Sequence, residues 1–351
     1  MSATGLSSTG FYPHAMLVTG GCGFIGANFI HYMAQMYPGL HIVNIDKLTY
    51  AGSQEYLHNL PDSTDYHFIA ADINDIRCVT DVLETHQIDT IVHFAAESHV
   101  DRSIVDALTF VESNVRGTLV LLDCALNVWR KRFNLNPDRC RFHHVSTDEV
   151  YGSLSKEASG FNENSGYQPN SPYAATKAAS DHLVRAYIQT HRLPATLSHC
   201  SNNYGPYQHI EKLIPKTIHA CLFQHEIPVY GDGQQQRDWL YVYDHCCALN
   251  KILRSALPGT NYMIGGGNEL TNLALINMII EIVAEKLQGS ASSLQKLITF
   301  VVDRLGHDQR YAVDHSLLSA HLDWQPEHAL ITGLTKTVEH YIAYFSHDEV
   351  M

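Results

Sequence analysis

The feature that most constrains this chain is a glycine cluster set between a short apolar run and a helix-like segment. Ala15-Met16-Leu17-Val18-Thr19 leads into Gly20-Gly21-Cys22-Gly23-Phe24-Ile25-Gly26, and Phe24 to Met36 continues with helical character. Gly21, Gly23 and Gly26 fit the spacing G-x-G-x-x-G, which after a strand and at a helix start marks a dinucleotide-binding turn. Larger side chains there would keep a pyrophosphate from the unpaired amides of the helix, where the dipole favours negative charge. Gly20, Gly23, Phe24, Ile25 and Gly26 are therefore the expected phosphate-side contacts. Asp46 ends the next apolar run, His41 to Asp46, 20 residues after Gly26. A carboxylate at that distance accepts hydrogen bonds from the ribose hydroxyls and repels a 2′-phosphate, which favours NAD over NADP. Lys47 beside it is a cation that weighs the other way.

The strand and helix alternation continues. Tyr66 to Ala70 reads as a third strand, Asp75 to Thr85 as a helix, Thr90 to Phe94 as a fourth strand, Val115 to Trp129 as a helix and Arg141 to Ser146 as a fifth strand. Such alternation predicts an α/β fold, a doubly wound parallel sheet of the Rossmann type covered on both faces. Asp72 and Ile73 after the third strand, and the small Ala95 and Ala96 after the fourth, are further expected cofactor contacts. Ser171 and Pro172 form a helix start signal, Ser as cap and Pro in the first turn. Beyond about residue 200, Pro206, Pro215, Pro228 and the turn Gly231-Asp232-Gly233 break the periodicity, apart from a packed helix over Leu273 to Leu287. With 351 residues the chain suits two lobes. The expected division is a flexible tail over 1–14, a nucleotide-binding domain over 15–198 plus about 239–259, and a smaller irregular α/β substrate-binding lobe over about 199–238 plus 260–351.

Tyr173 and Lys177 lie four apart on the helix begun by Pro172, so they share one face. A phenol has a pKa of about 10, and lowering it to about 7 takes roughly 4 kcal/mol of preferential phenolate stabilisation. A neighbouring ammonium and a positively charged nicotinamide are the sources of that stabilisation. Thr147, at the end of the fifth strand, is placed to hydrogen-bond the same substrate hydroxyl. Asp148 and Glu149 follow directly; in a continuing strand they would face opposite sides of the sheet. They reach one site only if the strand stops at Thr147, and then two carboxyls in different environments divide acid and base roles.

Composition excludes other classes. The 23 Lys and Arg stand against 36 Asp and Glu, a net charge of -13 with no basic run, which argues against nucleic acid or an acidic membrane as partner. No apolar stretch of membrane-spanning length occurs, and the first ten residues carry no Lys or Arg to open a secretory signal, so a cytoplasmic protein is expected. Eight cysteines without a C-x-x-C pair read as reduced thiols, and 23 histidines without a closed ligand motif give no assigned metal.

Five segments together resemble the dTDP-glucose 4,6-dehydratases of the extended short-chain dehydrogenase/reductase family. They are Gly20 to Gly26, Asn44 to Gly52, Ala95 to Ser103, Ser146 to Gly152 and Ser201 to Pro206. The likeness continues through Glu211 to Pro215, Arg237 to Val242 and Gly306 to Tyr311, and so spans about residues 15 to 345. It implies an NAD-recycling dehydration of a nucleotide sugar by a homodimer. Tyr173, aided by Thr147 and Lys177, takes the 4-hydroxyl proton during oxidation at C4; Glu149 removes the C5 proton; Asp148 protonates the departing 6-hydroxyl; the stored hydride returns to C6. The likeness also implies that Asn203 contacts the nicotinamide side, and that Ser98 and Asn202 contact the sugar. Lys212, Leu213, Pro228, Tyr230, Arg237, Asn268, Arg304, His307 and Tyr311 are implied to line the nucleotide diphosphate pocket. Cys22, Thr176 and Leu305 depart from the family's usual alanine, serine and proline. The competing readings are a UDP-glucose dehydratase, a 4-epimerase or decarboxylase of the same fold, and a non-catalytic NAD sensor.

Overall fold

Apolar strand runs joined by helical crossovers form parallel pairs, and the computed structural model, which describes residues 10–303 and 306–348, contains them as the main sheet. The strands are β1 (Ala15–Thr19), β2 (His41–Asp46), β3 (Asp65–Ala70), β4 (Thr90–His93), β5 (Arg141–Thr147) and β6 (Ala195–Cys200). They are followed by β7 (Asn202–Tyr204), β8 (Ile227–Tyr230), β9 (Gln236–Tyr241), β10 (Asn261–Ile264), β11 (Glu269–Thr271) and β12 (Ile298–Val301). The large sheet runs β3-β2-β1-β4-β5-β6-β10, every neighbouring pair parallel. The order turns back between β1 and β4, which opens a crevice at the carboxyl ends of these strands.

Alternation across the pleat divides the core in two. Met16 and Val18 of β1 pack with Phe29, Ile30 and Met33 of the helix Phe24–Met36, and with Leu249, Ile252 and Leu253 of the helix Val242–Ser255. Leu17 faces the other way, onto Val79, Leu83, Leu121, Leu122, Trp129 and Val184 from the helices Ile76–Thr85, Gly117–Phe133 and Pro172–His191. Trp129 is fully buried and satisfies its indole N–H on the Ile88 carbonyl at 2.9 Å. Beyond the large sheet, β7, β9 and β11 form one small sheet and β8 and β12 another. The helices Leu213–Phe223, Asn272–Lys286 and Leu330–Asp348 share a third apolar cluster with them.

Three expectations need correction. The boundary near 260 assigned Asn261–Ile264 to the smaller lobe, but β10 pairs in parallel with β6 and closes the large sheet. The helix expected to end at Trp129 runs on to Phe133, where Asn134 stops it in the left-handed region (φ 50°). The expected mobile tail does not extend over Phe11, which is buried, donates its N–H to the Arg254 carbonyl at 2.9 Å and lies under the Arg141 guanidinium. Residues 1–9 lie outside the described residues.

Two predictions follow from this packing. A Cβ at Gly26 would sit 2.3 Å from the Gly20 carbonyl oxygen, so Gly26→Ala is expected to cost about 1–3 kcal/mol in urea unfolding; a wild-type midpoint would show that the turn has slack. Burial holds His143, His144 and His245 down at about 3, 4 and 3, against about 6.5 unfolded. At these rings the unfolded chain therefore binds more protons, and their contribution to stability is full above pH 6.5 and falls below it, by roughly 1.4 kcal/mol per pH unit for each ring. Urea midpoints that stay level between pH 7 and pH 5 would contradict neutral buried rings.

Candidate active site

A cleft opens at the carboxyl ends of β1, β2, β4, β5 and β6. Its lining contains Gly20, Gly23, Phe24, Ile25, Gly26, Asp46, Lys47, Asp72, Ile73, Ala95, Ala96 and Asn203, together with Thr147, Asp148, Glu149, Tyr173 and Lys177. Among the expected sugar and nucleotide contacts, Ser98, Asn202 and Lys212 also line it.

The glycine turn fits a pyrophosphate on steric grounds. Gly20 has φ +71°, and a Cβ there would lie 2.7 Å from the Ala95 backbone. Gly23 precedes the helix Phe24–Met36 with no side-chain cap, which leaves the first-turn amides without an intrahelical acceptor. The Asp46 carboxylate accepts from the Cys22 amide at 2.9 Å and the Leu48 amide at 2.8 Å, and each oxygen keeps a lone pair for a ribose hydroxyl. Lys47 donates to the Ser113 hydroxyl at 2.9 Å and lies 3.6 Å from Asp72. The ammonium is held on Ser113 and Asp72 while its charge still favours the ionised Asp46 carboxylate, and the cleft suits NAD.

The chemistry-bearing groups converge because β5 stops at Thr147. There the Thr147 hydroxyl accepts from the Glu149 amide at 3.3 Å and starts a short 3₁₀ turn over Asp148–Tyr151. The turn breaks the strand alternation, so both carboxyls border one cleft. Ser171 caps the helix Pro172–His191 by accepting from the Ala174 amide at 3.1 Å, and this holds Tyr173 and Lys177 on the cleft side. Lys177 donates to the Val145 carbonyl at 2.9 Å, and burial lowers its pKa.

Burial raises the Asp148 carboxyl well above the usual range, and Glu149 and Asp238 push it further. Burial and Glu149 also raise the Tyr173 phenol, against a lowering hydrogen bond with Thr147. Burial thus favours the neutral form of the Asp148 carboxyl, and it keeps the Tyr173 phenol protonated at neutral pH. Asp148 Oδ2 and Asn202 Oδ1 are buried without a protein partner, two oxygens left to a ligand.

Among the described residues, the remaining expected contacts lie outside this lining. Arg237 is buried over the Tyr311 ring, 4.4 Å to its centroid, and donates to the carbonyls of Gln236 and Asp308 at 2.7 and 2.9 Å. Tyr311 donates to Asp308, Tyr230 stands edge-on to His307, and Pro228 lies with Tyr230 on β8. Asn268 bonds to the Gly266 carbonyl at 2.8 Å, and Leu213 starts a helix within the third apolar cluster. Arg304 and Leu305 lie outside the described residues.

Sequence reasoning gave no role to Ser113, Cys200, Ser201 or Glu211 in the lining. It also passed over Asn114, whose amide joins the Glu97 backbone to the Thr176 hydroxyl at 2.8–3.0 Å, and so ties the Tyr173 helix to the wall after β4. Ser201 and Glu211 lie inside the segments that carry the family likeness and Cys200 adjoins one, whereas no pattern in the sequence marks Ser113 or Asn114. Behind Lys177, burial raises the Asp181 carboxyl, but His199 and His144 outweigh it and hold the group below the usual range.

The chain matches the family model described as GDP-mannose 4,6 dehydratase over residues 17–337. It is 45% identical to a dTDP-glucose 4,6-dehydratase of Xanthomonas campestris pv. campestris (strain B100), over 93% of this chain and 92% of that one. It is also 45% identical to that of Haemophilus influenzae, over 93% and 97%. The crystal structure of DesIV, a dTDP-glucose 4,6-dehydratase from Streptomyces venezuelae solved with NAD bound, superposes with a TM-score of 0.84 at 40% identity, covering 95% of this chain and 98% of that one. By its crevice, its glycine turn and this likeness along nearly its whole length, the chain belongs to the 4,6-dehydratase family of nucleotide-sugar enzymes, among the dTDP-glucose 4,6-dehydratases.

Proposed function

We propose that this protein converts dTDP-glucose to dTDP-4-keto-6-deoxyglucose with NAD retained through the cycle, as a cytoplasmic homodimer. The observation that carries the reading is the meeting of Thr147, Asp148, Glu149, Tyr173 and Lys177 on the cleft that Gly20, Gly26 and Asp46 also border. Gly20, Gly23, Gly26 and Asp46 would hold NAD, which would supply the hydride acceptor for C4 and the hydride donor for C6.

Tyr173 takes the proton of the 4-hydroxyl. Its raised phenol becomes a base only when positive charge enters the cleft beside Lys177, each unit of lowering requiring about 1.4 kcal/mol. Thr147 holds the phenol and the substrate hydroxyl in line. The C4 ketone acidifies C5–H, and Glu149, less buried than Asp148, removes that proton. Asp148, kept protonated by burial and by its neighbours, gives its proton to the departing 6-hydroxyl. The net change is the loss of one water. A 4-epimerase would keep Tyr173 and Lys177 but has no use for a protonated acid paired with a base.

Outside the cleft, Arg237, Tyr311, His307 and Tyr230 supply a guanidinium and aromatic faces suited to a nucleoside diphosphate. Among the described residues no helix is long and apolar enough to cross a membrane. The exposed side chains of Val105, Leu108 and Val111 support burial against a second copy.

Incubation of the purified protein with dTDP-glucose and no added NAD is expected to yield a 4-keto-6-deoxy product one water lighter by mass spectrometry. A galactose product of unchanged mass would instead make the enzyme an epimerase. Glu149→Gln is expected to oxidise C4 and then stall, so reduced cofactor accumulates in absorbance while product formation drops about 10²–10⁴-fold; turnover at the wild-type rate removes Glu149 from its role.

A further inference from the structure

We propose that His41, Asp65 and His67 form a binding site for a divalent transition-metal ion, Zn²⁺ by its ligand set, at the end of the large sheet opposite the cleft. The pairing register builds it. His41 opens β2 and is the direct cross-strand partner of Asp65, which opens β3, and His67 follows two residues on, on the same face of β3. Asp65 gathers both rings: His41 Nδ1 lies 2.7 Å from one carboxylate oxygen and His67 Nε2 lies 3.0 Å from the other. One ligand atom from each of the three residues lies within 4.8 Å of the others.

Two imidazoles and a carboxylate are a Zn²⁺ ligand set, with bonds of about 2.0–2.2 Å and water at the open position. Asp65 and His67 are half-exposed, so that water has access and the side chains can turn inward on the ion. A fourth residue completes the arrangement. His86, the residue that caps the helix Ile76–Thr85, places Nδ1 2.9 Å from His41 Nε2, with the two rings stacked. Bonding of the distal nitrogen fixes the tautomer and orientation of a ligating ring, and such partners matter to affinity by about 10–100-fold.

None of the three ligands borders the cleft, and five residue steps of β2, about 3.3 Å each, separate His41 from Asp46. The ion would pin β2 to the edge strand β3 and, through His86, to the end of a helix. No ligand motif marks the site in the sequence because its residues come from separate strands.

The test uses the full-length chain without an affinity tag, stripped of metal by a chelator and titrated with ZnCl₂ by calorimetry. The expected result is one saturable site of micromolar or tighter affinity, weakened at least tenfold in both Asp65→Asn and His67→Asn, and unchanged in Cys78→Ser, which removes a nearby thiol. Zn²⁺ should raise the melting temperature of the wild type but not of His67→Asn. Dehydratase turnover equal to wild type in the variants certifies their fold. The absence of a saturable site, or binding weakened less than tenfold in Asp65→Asn and His67→Asn, overturns the proposal.

Discussion

Everything at the cleft depends on a contact that leaves no room for a side chain. Gly20 lies so close to Ala95 that a Cβ would fall 2.7 Å from its backbone, and Gly26 lies against the Gly20 carbonyl. That approach brings the loops after β1 and β4 together where the sheet order turns back, and it fixes the helix Phe24–Met36 with its amino end at the crevice. The parallel sheet then places the ends of β2 and β5 on either side. The cofactor loop and the reacting groups are thus positioned by one backbone packing event.

The electrostatic character of the site follows from how little water reaches it. Asp148 is almost fully buried beside Glu149 and Asp238, and the cost of charging it there favours its neutral form, the form the proposed acid role needs. The same burial works against Tyr173 as a base and lowers Lys177. Under the proposed function, positive charge arriving with the cofactor would be what activates this phenol, coupling base activation to cofactor binding. Behind Lys177, Asp181 stays ionised between His144 and His199, at 3.2 and 2.8 Å.

Much of this was legible in the chain. The glycine spacing, Asp46 and the strand and helix alternation place the cofactor loop because they are local patterns with a fixed geometry. The four-residue spacing of Tyr173 and Lys177 is legible for the same reason. Asp148 and Glu149 were legible only as a condition, since a dipeptide does not announce where its strand ends; the Thr147 hydroxyl on the Glu149 amide decides it. Arg237 is offered as a phosphate ligand by likeness alone, because its contacts with the Gln236 and Asp308 carbonyls and the Tyr311 ring join segments that no local pattern links. Phe11 and β10 escaped notice because each is held by a distant partner, Arg254 and β6.

By itself, then, the sequence determined the class of sheet and the nucleotide turn, encoded by spacing within single elements or adjoining pairs, and it offered Thr147, Asp148, Glu149, Tyr173 and Lys177 as candidates for the chemistry. Only the tertiary structure decided which groups are protonated, that Lys47 is spent on Ser113 and Asp72, and that two histidines meet a carboxylate at the far edge of the sheet. Protonation is set by burial, and burial and cross-strand register arise from contacts between residues far apart in the chain.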